Sequence, residues 1–290
     1  MTFKQRFFIG LQYLLPQHGL SRLIGCLANC KKPAVKNTLI RWFIRRYQVD
    51  MSQAERSRPE DYLHFNDFFT RALVEGARPL DDNAESIVCP ADGAISQIGS
   101  IRHGRIFQAK GHDFSLHELL GGDSKRAAPF QDGHFATIYL SPRDYHRVHM
   151  PFDGTLKEMV YIPGKLFSVN QTTAENVPEL FARNERVACL FDTEAGPMAV
   201  VLVGAMVVAS IETVWAGEVA PVRRRLSVFD YTTNDRQPVQ LARGDELGRF
   251  KLGSTAIVLC GPDMADWAGE LQETSAVRMG QLLGTMRTGA

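Results

Sequence analysis

The first fifty residues constrain this chain most. They hold nine basic side chains (Lys4, Arg6, Arg22, Lys31, Lys32, Lys36, Arg41, Arg45 and Arg46) and one acid, Asp50, a balance of +8. The remaining 240 residues carry 24 basic and 31 acidic groups, a balance of −7, so a net charge of +1 conceals two ends of opposite character. The basic end is also rich in large apolar groups: Phe7-Phe8-Ile9, Leu11, Leu14-Leu15, Leu23-Ile24 and Trp42-Phe43-Ile44. A membrane-spanning helix needs about 20 consecutive apolar residues, and Gln12, Pro16, Gln17 and Arg22 interrupt every run. A signal peptide fits no better, because Gln12 splits the apolar stretch and no small-x-small site follows, so the mature chain is expected to start near Met1. The pattern predicts helices over 3–15, 20–30 and 34–47 that lie on a bilayer without crossing it. Each cation near an anionic leaflet contributes about 1 kcal/mol. The alternative is that the same helices pack on the body of the protein and leave the cations as a solvated face, since periodicity does not say what an apolar face touches.

Past residue 50 the texture changes. Residues 51–58 read as a polar connection and 65–72 as a short helix; from Ser86 onward Val- and Ile-rich runs recur between Gly, Pro and Asp breakers, at 86–89, 94–98, 134–140, 155–162, 187–191, 198–214 and 255–259. The long run 198–214, with Gly204 near its middle, predicts two strands or one bent central strand. The fold class expected is α+β: a basic amphipathic helical docking segment over 1–60 and a β-rich domain over 61–290. With 44% apolar and 22% charged residues, disordered, collagenous and coiled-coil readings are excluded. The near-zero net charge excludes a uniformly basic nucleic-acid binder. Cys26, Cys30, Cys89, Cys189 and Cys260 form no C-x-x-C pair and read as reduced thiols, and no metal is expected.

Dinucleotide, P-loop, zinc-protease and G-x-S-x-G signatures are all missing from the sequence. Three segments carry chemistry instead. Pro90-Ala91-Asp92-Gly93 is a turn between strand-like runs, and a carboxylate at a strand end can orient a histidine. In Ser141-Pro142-Arg143-Asp144-Tyr145-His146-Arg147-Val148-His149-Met150-Pro151, Ser141 and Pro142 suggest a short helical turn that becomes extended by Val148, bringing two imidazoles close together. That charge density suits a cleft better than a core. The third segment, Leu252-Gly253-Ser254-Thr255, leads into an apolar strand; taken alone, a Gly-Ser pair is an ordinary turn.

These blocks, with Pro163-Gly164-Lys165-Leu166-Phe167-Ser168-Val169-Asn170, Phe181-Ala182-Arg183-Asn184-Glu185-Arg186 and Phe250-Lys251 before the Leu-Gly-Ser-Thr, closely resemble the bacterial phosphatidylserine decarboxylases over nearly the whole chain. The resemblance implies a precursor that cuts itself between Gly253 and Ser254, leaving a covalent pyruvoyl group made from Ser254. That group forms a Schiff base with phosphatidylserine, which loses carbon dioxide to become phosphatidylethanolamine. It implies a charge-relay set of Ser254, His149 and Asp92, with His149 as base and Asp92 fixing its tautomer. A proton must then reach the former α-carbon, and His146 or His149 is the expected donor, with His146 favoured. The expected partners are phosphatidylserine in an anionic membrane and the two cleaved chains as a heterodimer, with a dimer of heterodimers as an option. The expected place is the cytoplasmic face of the bacterial inner membrane, as a peripheral protein. Two other readings predict an uncut chain: an intact Ser-His-Asp lipid hydrolase, and a lipid-binding module without catalysis.

Overall fold

The structure is a computed structural model in which residues 2–206, 210–220, 225–233, 237–251 and 254–287 are described. Four helices open the chain: α1 (Phe3–Leu14), α2 (Gln17–Ala28), α3 (Pro33–Tyr47) and the short α4 (Phe65–Phe69). Thr2 caps α1 in a reciprocal pair with Gln5. Pro33 starts α3, where a missing N–H costs nothing, and Gln48 ends it in the left-handed conformation. The basic first fifty residues and the β-rich remainder therefore form the mixed α+β protein expected.

The body is dominated by an antiparallel nine-stranded sheet among the described residues. In spatial order its strands are Ser227–Asp230, Gly154–Ile162, Arg186–Thr193, Gly196–Gly204, Ser254–Cys260, His134–Leu140, Gly93–Ser100 and Ala276–Val277, with Gln240–Leu241 also paired to the second. Ser254–Cys260 lies near its middle and is buried along its whole length. Side chains alternate across a strand: Ala256, Val258 and Cys260 enter one hydrophobic cluster, Ile257 and Leu259 the other. Each buried aliphatic side chain contributes about 1.5–3 kcal/mol, so this strand fastens both layers at once.

A four-stranded sheet packs on the first layer, in the order Gly217–Ala220, Ser210–Thr213, Glu246–Lys251 and Arg147–His149. The run 198–214 thus divides into two strands, the first ending at Gly204 and the second joining the other sheet. Several strands gave no apolar run to read, among them Glu246–Lys251 and Leu282–Met286, because glycines and charges break their pattern. A third cluster joins Ile40 and Phe43 of α3 to Tyr62, Phe65, Phe68 and Phe69. The helical segment therefore shares a core with the chain just past residue 60.

Two polar interruptions of the apolar helices have a structural use. Gln12 accepts from the Ser168 N–H at 2.8 Å and Gln17 from the Leu166 N–H at 2.8 Å, and His18 Nε2 meets the Gly164 carbonyl at 3.0 Å. These bonds fasten α1 and α2 to the 163–168 loop. No helix among the described residues is long and apolar enough to cross a membrane.

Candidate active site

Ser254 opens the central strand, paired to Leu140 on one side and Gly204 on the other. The alternation that sends Ala256 and Val258 into the first cluster turns Ser254 to that same layer, where Val148, Phe250 and Ala91 also lie. Its Oγ is fully buried and has no hydrogen-bond partner among the described residues. Gly204 is itself braced: its carbonyl accepts from Asn184 Nδ2 at 2.9 Å, while the same buried amide exchanges bonds with the Phe167 backbone. Leu252 and Gly253, the cleavage segment expected from the sequence, lie outside the described residues.

The Pro90–Gly93 turn comes to the same end of the sheet, one strand further on. Ala94 pairs with Tyr139, next to the Leu140 that pairs with Ser254, which places the Gly93 and Ser254 backbones about 10 Å apart, two strand spacings. Only glycine fits at 93, since a Cβ would stand 2.2 Å from the Tyr139 carbonyl oxygen. The His149 N–H donates to the Pro90 carbonyl at 2.8 Å, so the histidine segment is sewn to this turn. On its other side Met150 exchanges backbone bonds with Gly244 and Asp245.

The segment before that strand differs from the helical turn expected at Ser141-Pro142. It is a single tight turn in which the Asp144 carboxylate accepts the Ser141 N–H at 2.7 Å. A local side-chain bond of this kind competes with helix formation. Both histidines are buried. His146 Nδ1 is 2.8 Å from the Asp144 carbonyl and His149 Nδ1 is 2.7 Å from the Gly244 carbonyl. A carbonyl only accepts, so each ring carries its proton on Nδ1 and presents a bare Nε2. His149 Nε2 accepts from the Tyr145 hydroxyl at 2.9 Å, whereas His146 Nε2 is buried with no partner among the described residues. Phe69 of α4 covers the His146 ring at 4.0 Å between centroids.

One expected contact is replaced. Asp92 does not sit on the His149 imidazole: Arg78 grips both of its oxygens, and the Met279 N–H donates to Oδ1 at 2.9 Å. A guanidinium fork gives a carboxylate two charge-assisted bonds, more than one neutral imidazole N–H offers. The tautomer-fixing partner of His149 is instead the Gly244 carbonyl. Gly244 has φ of +87° and its Cβ position is filled by Leu80, two reasons for glycine. Asp92 remains a charge near the site, raising the proton affinity of both His149 and Tyr145.

Burial governs the titration of these groups. It pushes His146 from its ordinary value down to about 3, opposed by the Asp144 carbonyl and assisted by the Arg71 charge. It lowers His149 too, and lifts the Tyr145 hydroxyl to about 12, so that the hydroxyl keeps its proton. Near neutrality the site thus holds two neutral imidazoles and a buried serine hydroxyl. Sequence reasoning missed Arg78, Tyr145 and Gly244 as members. Tyr145 sits inside the histidine segment, and Arg243-Gly244-Asp245 reads as a turn, but nothing in the linear pattern tied either to a ring nitrogen. No group of His, Cys, Asp and Glu suited to a metal ion occurs among the described residues.

A buried serine opening the central strand, with two buried histidines and a clamped aspartate toward the same end of the β body, makes this end of the sheet the candidate site. The profile of the family described as Phosphatidylserine decarboxylase matches residues 65–285, and a second, described as PSD, matches residues 7–48. A phosphatidylserine decarboxylase proenzyme of Ectopseudomonas mendocina (strain ymp) is 69% identical over 281 residues, covering 97% of this chain and 98% of that one. Proenzymes of the same name from Pseudomonas putida (strain GB-1), 68% identical over 280 residues, and Pseudomonas aeruginosa (strain LESB58), 67% identical over 283, are matched over 97% and 98% of this chain and 98% of their own length. The chain belongs to the phosphatidylserine decarboxylase family.

Proposed function

We propose that this chain is the self-cleaving precursor of a pyruvoyl-dependent phosphatidylserine decarboxylase acting at a membrane surface. The observation that carries the reading is the Ser254 hydroxyl: buried, without a hydrogen-bond partner among the described residues, and at the first residue of the central strand. No described residue engages this hydroxyl, and a serine is the side chain from which a pyruvoyl group is made. Attack of Oγ on the Gly253 carbonyl converts the amide to an ester. β-Elimination releases residues 1–253 as a carboxylate, and water then replaces the former serine nitrogen, lost as ammonia, by a ketone oxygen.

His149 is the base that takes the Ser254 proton, after the Tyr145 hydroxyl yields its place on Nε2. The Gly244 carbonyl fixes the accepting tautomer, and Asp92, held by Arg78, supplies the countercharge for the imidazolium. The ketone, once formed, supplies the electron sink that decarboxylation of an α-amino acid requires and that no side chain provides. His146 Nε2 carries a lone pair that no described residue uses; it is the proposed donor to the α-carbon, and because burial disfavours the charged ring it carries the proton only in passing it on. After the cut, Ser254–Cys260 stays hydrogen-bonded between two strands of the larger piece, which supports two chains remaining together.

Membrane docking rests on α1 to α3. Phe3, Phe7, Leu11 and Leu14 recur at helical spacing and are exposed, as are Leu23, Leu27 and Trp42. Eight of the nine cations of the first fifty residues are exposed as well, all but Lys36. An apolar face ringed by cations is the chemistry of an anionic lipid surface.

A denaturing gel with intact-mass measurement tests the reading. Purified protein should give pieces of 253 and 37 residues, the smaller lighter by one ammonia than a peptide beginning with serine, and Ser254→Ala should give one uncut, inactive chain. Active protein found in a single 290-residue piece would overturn the self-cleavage reading.

A further inference from the structure

A polar cleft of about 400 Å³ lies where the helical segment meets the β body. Exposed Asp50, Arg143 and Arg278 stand at its rim, while Arg71, Asp92 and Tyr145 on its floor are buried. Through Tyr145 the floor touches the site, since that hydroxyl is the partner of His149 Nε2. Arg71 is the anomaly. It is 3% exposed, its Nη2 donates to the carbonyls of Arg143 and Asp144 at 3.1 and 3.3 Å, and its Nε and Nη1 have no partner among the described residues.

The carboxylates that share this cleft are committed elsewhere. Asp92 is taken by Arg78 and the Met279 N–H, Asp144 by the Ser141 N–H, and Asp50 by the Ser52 N–H and hydroxyl. Burial, with the Arg78 charge, depresses the Arg71 guanidinium below its ordinary range, opposed by Tyr62, Asp92 and Asp144, whose side chains make no hydrogen bond or ion pair with it. A buried cation with open donors and no ion-pair partner among the described residues is a costly arrangement that an anion from outside would relieve.

We propose that Arg71 binds the phosphodiester of the lipid headgroup, an assignment that rests on the decarboxylase reading. The substrate carries two anions. A cation on the carboxylate would stabilise a charge that disappears as carbon dioxide forms, and would therefore hold back the reaction. The phosphodiester keeps its charge throughout, so a cation there adds binding without raising the barrier. The cleft also lies directly after α3, whose exposed Arg41, Trp42, Arg45 and Arg46 lie on the proposed docking side.

The test uses the full-length protein and two variants, Arg71→Met and Arg71→Lys. Chain cleavage and decarboxylation by the unaltered protein check the underlying reading separately. Both variants should cleave as the unaltered chain does. Arg71→Met should raise KM for phosphatidylserine in mixed micelles at least tenfold with kcat changed less than threefold, and Arg71→Lys should fall between. Inhibition by glycerophosphoethanolamine, which has the phosphodiester and no carboxylate, should weaken at least tenfold in Arg71→Met, while inhibition by free serine should not change. Weakened serine inhibition with glycerophosphoethanolamine unaffected would overturn the assignment in favour of the carboxylate. An unchanged KM in a cleaved Arg71→Met chain would overturn it outright. Should Arg71→Met fail to fold, an Arg71→Lys chain with unaltered KM and unaltered glycerophosphoethanolamine inhibition would do the same.

Discussion

The α1–α3 segment and the Ser254–Cys260 strand are both rich in apolar residues, and the protein uses them in opposite ways. Phe3 and Leu14 are each 84% exposed, whereas every residue of the strand is 0% exposed. In the strand, alternation divides the side chains between two packed layers, so both faces are covered. In α1 the buried positions are Ile9 and Gln12, the latter tied to the body through its amide, and the large side chains on the other face point outward. Apolar content therefore records that a residue avoids water, and leaves open whether protein or lipid takes water's place.

The same kind of substitution placed in the two regions breaks the comparison most sharply. Val258→Glu puts an unpaired carboxylate where no water reaches. That cost is comparable to the net stability of a domain, about 5–15 kcal/mol, and the expected outcome is unfolded, uncleaved chain on a gel and by circular dichroism. Phe7→Glu or Leu14→Glu should leave thermal unfolding and cleavage unchanged and lower partition onto anionic vesicles at least tenfold each, since one apolar side chain contributes about 1.5–3 kcal/mol. A Phe7→Glu chain that still sediments with vesicles as before would show that this face packs elsewhere.

Acid separates the two regions by a smaller amount. In the unfolded chain His146 titrates near 6.5, in the folded chain near about 3. The folded pKa is depressed, so the stability held by the neutral ring is complete above pH 6.5 and is lost as pH falls toward 3. From pH 7 to pH 5 the ring alone accounts for about 2 kcal/mol. Urea denaturation of His146→Leu beside the unaltered chain should show a dependence flatter by that amount; equal slopes would mean that water reaches the ring. The smallest effect is expected where the regions join. Gln12→Ala and Gln17→Ala each leave a backbone N–H without its acceptor, about 1 kcal/mol apiece, visible as faster proteolysis within α1 and α2 while the sheet unfolds as before.

The linear pattern showed much of this fold. The helices of the first fifty residues and the change to strands after Ser86 were readable, because hydrophobic period and Gly or Pro breakers act locally; for 198–214 the pattern left two strands or one bent strand open, and the structure has two. Strands such as Glu246–Lys251 escaped, since their register depends on partners far along the chain: Glu246 faces His149 and Arg249 faces Arg147. The same holds for the candidate site. Asp92, His146, His149 and Ser254 were nominated from local context and resemblance, and they come to one end of the sheet. Arg78, Gly244 and Arg71 were not, because an arginine has no role until the fold decides whether its charge meets an anion.

Residue types and their spacing by themselves determined the α+β class and the family and nominated Ser254 as the candidate nucleophile, for these follow from side-chain periodicity and from motifs short enough to read in line. Only the tertiary structure decided that Arg78 holds Asp92, that a glycine carbonyl sets the His149 tautomer and that Arg71 is buried without a counter-ion. Hydrogen bonds and desolvation depend on which atoms meet in space, and those meetings join residues as distant as His149 and Gly244.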